Sequence, residues 1–276
     1  MKLSKTLKPV FISLLLAGFS PLTFADHHEG QMSLEQLTTA SHRNEANIVR
    51  NEFRHPVETL QFFGLEPDTT IIEILPSRGW YAEIIAPYVK DHGKYYAAHF
   101  SPNASASYMP SNLRNFEAKI TAEPELYGKI TVRHLNPPHE VAIAPPGSAD
   151  MALTFRNVHN WIMAGQENEY FATFYTALKP GGILGVVEHR AKPGAGMEVM
   201  RTSGYVTEAY VIELAAAAGF ELLEKSEINA NAKDSTLHPE GVWTLPPEYR
   251  LKDTDRAKYS AIGESDRMTL KFVKPL

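Results

Sequence analysis

One pattern governs what this chain can fold into: short apolar runs with strand character alternate with helix-like stretches along most of its length. Residues 70–75 form a compact β-branched run of the kind a fully buried strand needs. Further strand-like runs lie at 95–100, 130–135, 150–155, 183–188, 220–228 and 268–273. Between them, residues 80–89 and 167–178 carry apolar side chains at helical spacing, and Thr207 can cap a helix that Gly219 ends. Residues 103–121 read as loop plus helix, and the proline-rich stretch 137–146 as loop. Such alternation implies an α/β fold: a doubly wound, mostly parallel seven-stranded sheet with helices on both faces. The irregular stretch 229–266 has the length of a lid or binding loop.

Upstream of the first strand, residues 33–52 are polar and helix-favouring, and 57–63 form a short apolar helix that Pro56 starts and Gly64 ends. Residues 26–55 therefore read as a helical extension ahead of a main domain at 56–276. The first 25 residues have another character. Lys2, Lys5 and Lys8 precede a short apolar run at 10–19, and Thr23-Phe24-Ala25 puts small residues where signal peptidase cuts. This is the pattern of a cleaved signal peptide, with an uncleaved anchor as the other reading. The apolar run falls short of the roughly 20 residues a comfortable span needs, and the mature chain holds no longer one. Cleavage after Ala25 would expose Asp26-His27-His28, which can wrap Cu(II) or Ni(II) in nitrogen ligands or serve as a plain solvated tail.

Charge and composition remove several function classes. Taking the three leader lysines from 27 basic residues leaves 24 against 32 acidic ones, so the mature chain carries about −8. That balance argues against nucleic acid as partner. The absence of cysteine removes disulfides, thiolate nucleophiles and thiolate zinc sites together. No histidine pair in the main domain has the helical spacing of a metal site, so no metal is expected there. Walker loops and GxSxG elbows are absent.

Three stretches narrow the fold. Leu178-Lys179-Pro180-Gly181-Gly182 precedes the fifth strand, where proline stops a helix and two glycines allow a tight reversal. Ala217-Ala218-Gly219-Phe220 exits a helix before the sixth strand. Residues 64–87 set a strand, a loop and a helix in succession. With the strand order, these stretches resemble the class I S-adenosylmethionine-dependent methyltransferases, and among them the exported predicted methyltransferases of Gram-negative bacteria. The resemblance spans roughly 56–276. It implies a Rossmann-like sheet with an antiparallel final strand, S-adenosylmethionine as cofactor, a small-molecule acceptor and a periplasmic location.

The resemblance also assigns residues. Glu73 stands where the family keeps its first-loop acid, and Gly79 is the last of three alternating glycine positions. Leu75 and Ser77 occupy the other two, which glycine normally fills because it permits close approach and positive φ. His99 replaces the acid that normally meets the ribose hydroxyls. The cofactor-binding set is then Glu73, Ser77, Gly79, His99 and Trp161, the last by cation–π contact unless it is core. Beyond the fourth strand, Asn157 can orient an acceptor and His159 can act as base, imidazole being the side chain that ordinarily titrates near neutrality. Glu188 and His189 end the fifth strand as an acid/base pair, metal ligands or part of a surface ion cluster, and Arg190 beside them can clamp an anion. His238 or Trp243 can cover the site from the long loop. Leu75, Ser77, His99 and the leader support the alternative reading, a retired methyltransferase fold that binds another small ligand.

Overall fold

The computed structural model describes residues 31–276, so the leader and Asp26-His27-His28 lie outside the described residues. Three short helices come first, α1 (Leu34–Thr38), α2 (Glu45–Ile48) and α3 (Asn51–Arg54), where the sequence suggested one continuous helical segment. The division has a local cause. The Ser33 hydroxyl and the Asn44 carboxamide each accept a backbone N–H and restart the helix. Pro56 then opens α4 (Pro56–Phe63), as expected, while His55 at its N-cap takes a left-handed conformation (φ 39°) that a residue before proline rarely adopts.

From there strand and helix alternate: β1 (Thr70–Ile74), α5 (Ala82–Val89), β2 (Lys94–Phe100), α6 (Tyr108–Ala122), α7 (Pro124–Tyr127), β3 (Ile130–Leu135), β4 (Ala149–Phe155), α8 (Val158–Ala164), α9 (Glu167–Ala177), β5 (Leu178–His189), α10 (Met197–Ser203), α11 (Glu208–Ala217) and β6 (Glu221–Ser226). The stretch 229–266 carries a 3-10 turn and α12 (Arg256–Ile262), and β7 (Arg267–Val273) follows. The sheet order is β3-β2-β1-β4-β5-β7-β6, with β7 inserted antiparallel between β5 and β6. Every other pairing is parallel.

Side-chain alternation along the strands divides the core into two layers. Ile72, Ile74, Ala152, Leu184, Val186 and Phe272 face one layer, with Phe171, Phe174 and Leu214 from the helices. Ile71, Ala97, Leu153 and Val187 face the other, with Leu60, Phe63, Ile84 and Ile85. Gly185 sits where β4 and α4 close in. A methyl carbon there would lie 2.4 Å from a Leu153 methyl and 2.8 Å from the Phe63 ring. The segment Leu178-Lys179-Pro180-Gly181-Gly182 is not a free turn as expected. It lies inside β5, where Leu178 pairs with Ala149 and the register slips before Ile183 pairs with Met151. Gly181, at φ 76°, donates its N–H to the Lys274 carbonyl at 2.8 Å, so β7 captures the reversal.

The N-terminal helices are fastened to the sheet by buried charge. Glu83, on α5, takes Arg43 at 3.1 Å, the Asn47 carboxamide at 2.9 and 3.0 Å, and Lys119. A buried carboxylate holding that many donors is well compensated for desolvation.

Candidate functional site at the carboxyl edge of the sheet

β1, β4 and β5 are parallel neighbours, so their carboxyl ends lie side by side, the place where open α/β sheets bind ligands. Three groups of side chains gather along this edge.

The first lies in the loop after β1. Leu75 (φ 49°), Ser77 (φ 54°) and Gly79 (φ 79°) all take the left-handed conformation. A bulky non-glycine residue in this region is costly, on the order of 1–3 kcal/mol, and such strain concentrates at functional loops. The backbone thus keeps the shape of a three-glycine loop although two glycines are gone. Side chains occupy the space that glycine would leave. Leu75 is buried, packed with Ala98 and Leu135. A methyl carbon on Gly79 would meet the Phe116 ring at 3.0 Å.

The acid and histidine of this region are turned inward. Glu73 is buried and accepts a short hydrogen bond from the Tyr95 hydroxyl; burial lifts its carboxyl to about 7 against the pull of Tyr95 and Lys119. His99 is 0% exposed. Its Nε2–H donates to the Ser77 carbonyl at 2.8 Å, and its Nδ1 accepts the Phe100 N–H at 2.8 Å. Both ring nitrogens are committed, which fixes the tautomer. Burial lowers its pKa to about 4, the Ser77 bond opposing, so the ring is neutral near pH 7.

The second group joins β4, α8 and β5. Asn157 caps the entry to α8, but its amide donates to the Ile74 carbonyl at 3.1 Å and the Thr154 hydroxyl at 3.2 Å, so it ties the ends of β1 and β4 together. His159 stands in the first turn of α8, where its Nδ1 is 2.9 Å from Glu188 Oε1. Glu188 also accepts the backbone N–H of His159 at 3.2 Å and of His189 at 2.8 Å. Both side chains are buried. His189 contacts Ser265 Oγ through Nδ1 at 2.5 Å, and its ring centroid is 5.1 Å from that of His159. Burial first, then His159 and nearby guanidinium groups, hold its pKa well below the ordinary value. Each imidazole keeps Nε2 outside these bonds.

Trp243, from the 3-10 turn of the late loop, lies edge-on to His159 with ring centroids 6.0 Å apart. Asp234 holds that loop in place, accepting from His238, the Tyr205 hydroxyl and the Asp266 N–H, each at 2.8 Å. Of the two loop residues expected over the site, Trp243 reaches it and His238 serves as a fastener.

The third group is cationic. Glu264 pairs with Arg50 at 2.7 Å, Arg54 at 3.2 Å and Arg267 at 3.2 Å. Those three and Arg156 together pull its carboxyl well below the usual range despite burial. Arg156 follows β4 directly, at φ 61°. Arg267 sits opposite His189 in the β5–β7 ladder.

Two further sequence assignments change. Trp161 is core: buried, stacked on Tyr170 at 4.3 Å between centroids and packed against Phe171 and Phe174. Its place one turn beyond Asn157 sets it on the apolar face of α8. Arg190 is no free anion clamp, because Asp266, Glu208 and Glu227 surround it at 2.8 to 3.1 Å. His159, Glu188 and His189 do converge, with one donor atom of each mutually within 4.8 Å. Sequence reasoning gave Arg156 and Arg267 no role. Their positions just beyond β4 and at the start of β7 were the available signal.

No protein-family model and no curated protein sequence matches the chain. Solved structures do match it in shape. A SAM-dependent methyltransferase from Aquifex aeolicus is 14% identical, with 88% of this chain and 100% of that one covered and a TM-score of 0.54. A geranyl diphosphate methyltransferase in complex with SAM is 11% identical, covering 87% and 94%, at a TM-score of 0.53. The (4+2)-cyclase SpnF is 17% identical, covering 81% and 80%, at 0.53. At such identities the likeness is one of architecture: the chain has the Rossmann-like fold of the class I methyltransferases.

Proposed function

We propose that this protein transfers the methyl group of S-adenosylmethionine to a small molecule outside the cytoplasm, with His159 as the base that takes the acceptor's proton. The observation that carries the reading is the His159 Nδ1–Glu188 Oε1 contact of 2.9 Å at the carboxyl edge of β4 and β5. The fold supports it, since structural neighbours include SAM-dependent methyltransferases, one of them with SAM in place. The export pattern of the first 25 residues supports the location.

The loop after β1 fits the cofactor in its backbone, through the left-handed conformations at 75, 77 and 79. Leu75 and His99 must turn aside to admit it, because both are buried in the space such a loop normally offers. Bound there, the cofactor would supply an electrophilic methyl carbon on a sulfonium. The backbone of residues 75–79 would hold it, while Glu73, buried against Tyr95, lies behind the loop.

The remaining chemistry belongs to the chain. Glu188 takes three donors and so acts as acceptor toward His159, which places the ring proton on Nδ1 and leaves the Nε2 lone pair for the acceptor. As Nε2 gains a proton, the Glu188 carboxylate stabilises the imidazolium, the role an orienting acid plays beside any catalytic histidine. Trp243 covers the ring and keeps water from competing.

A second reading has its own support. With Leu75 and His99 filling the loop, the fold would hold a different small ligand, as one neighbour of the same architecture is a cyclase. Calorimetric titration of the full chain with S-adenosylmethionine and S-adenosylhomocysteine separates the two. Saturable one-to-one binding supports methyl transfer; no heat and no thermal shift at millimolar ligand leaves the binding-protein reading standing.

A further inference from the structure

Three guanidinium groups, from Arg50, Arg54 and Arg267, pair with a single carboxylate, Glu264, and the charge of a fourth, Arg156, also acts on it. Arg54 and Arg267 are buried while Arg50 and Arg156 are partly exposed, so part of the surplus positive charge is held out of solvent. Charge in such a place is costly unless a partner compensates it. Arg267 also donates to the Ser265 and Phe53 carbonyls, and Arg54 lies over the Trp80 ring at 4.6 Å. The Nη2 atoms of Arg50 and Arg54 are nevertheless buried and donate to no acceptor among the described residues. The Arg156 side chain makes no hydrogen bond or ion pair among the described residues, although its backbone N–H donates to the Val187 carbonyl at 2.7 Å, and its charge reaches Glu264, Arg54 and His189. Of the other acids nearby, Glu188 is committed to three donors and Asp266 to Arg190, while Glu52, which lines the adjoining cavity, faces solvent.

A cation at His159, Glu188 and His189 is the competing use of this edge, since three donor atoms converge there. The same three guanidinium groups that act on His189, those of Arg156, Arg267 and Arg54, would repel a divalent ion. The charge asks for the opposite sign.

We propose that Arg54 and Arg156, backed by Arg50 and Arg267, bind an oxyanion of the acceptor, a carboxylate or a phosphate, beside the His159–Glu188 pair. This rests on the methyl-transfer reading for the word acceptor, not for the anion site. Planar guanidinium forks match either oxyanion in two-point contact. An anion held there is anchored near His189, directly across from Arg267 in the sheet, which leaves the rest of the molecule to reach His159 Nε2. A cavity of about 190 Å³ borders this cluster through Glu264 and Arg267, with Phe53, His55 and Asn231 beside them, and offers an approach.

The test uses the full chain with inorganic phosphate and malonate as probes, compared with chloride at equal ionic strength, by thermal melting and calorimetry. Either oxyanion should raise the melting temperature above the chloride control and bind saturably. Phosphate ahead of malonate marks a phosphorylated acceptor, and the reverse a carboxylate. Arg156→Gln should weaken binding by about tenfold or more while melting at or above the wild-type temperature, because it removes a like charge and breaks no ion pair. Failure of both anions to stabilise, or equal binding by Arg156→Gln, overturns the proposal. A parallel titration with S-adenosylhomocysteine keeps the two claims apart: anion binding without it retains the anion site and removes methyl transfer.

Discussion

His159 and Glu188 are 29 residues apart in sequence, yet the His159 ring nitrogen Nδ1 and Glu188 Oε1 meet at 2.9 Å, with both side chains buried. Parallel pairing of β4 with β5 makes the contact, because α8 starts where β4 ends and folds back over the end of β5. The pair has structural consequences as well as chemical ones. Glu188→Gln replaces an acceptor oxygen with an amide donor among three N–H groups. It should cost about 2–4 kcal/mol of stability in urea denaturation. His159→Gln should cost less. If His159 is the base, the same substitution should lower methyl transfer by about 10²–10⁴ and leave the affinity for S-adenosylhomocysteine unchanged. A parallel fall in cofactor affinity would place His159 in the wrong role.

Leu75 sets the opposing demands of stability and access. Its side chain belongs to the core, while its φ of 49° suits glycine. Leu75→Gly should lose about 2–4 kcal/mol from removed packing, offset by about 1 kcal/mol of relieved backbone strain. It should also bind S-adenosylhomocysteine more tightly, by about tenfold or more, since glycine clears the approach to the loop. Stability by denaturant and affinity by calorimetry check the two halves separately. Reduced affinity in the variant would show that the leucine contributes to binding.

Glu73 gives a pH signature. Burial raises its folded-state pKa from 4.5 to about 7, so between those values the native state keeps a proton that the unfolded chain has lost. Stability from this group is therefore intact below pH 4.5 and declines as the pH rises to 7. Glu73→Gln removes that slope. From pH 4.5 to 7.5 the variant should gain up to about 3 kcal/mol relative to the parent, read from urea midpoints at each pH. Parallel pH profiles for the two proteins would contradict the assignment.

The strands and their succession along the chain were legible in the sequence because β-branched runs such as 70–74 and helical spacing such as 82–89 leave few alternatives. The antiparallel sense of β7 followed from resemblance, while its place between β5 and β6 was seen only in the folded chain. Local chemistry explains the misses. Ser33 and Asn44 cap separate turns within a stretch that reads as one helix. Proline and two glycines that read as a free turn are drawn into β5 by Ala149 and Lys274. In the site, His159, Glu188 and His189 could be named because each ends a strand or starts the helix after one. The cationic group left only the strand-end positions of Arg156 and Arg267 as a signal: residues 50, 54, 156 and 267 share no spacing, and only the folded chain gathers them around Glu264.

The central claim is that a strained loop with leucine and serine in place of two glycines still receives an adenosyl cofactor. A crystal structure of the full chain grown with millimolar S-adenosylhomocysteine tests it directly. The ligand should lie against residues 75–79, with the Leu75 and His99 side chains turned away from the buried positions described above. Both side chains unmoved, with no ligand at that loop, would contradict it.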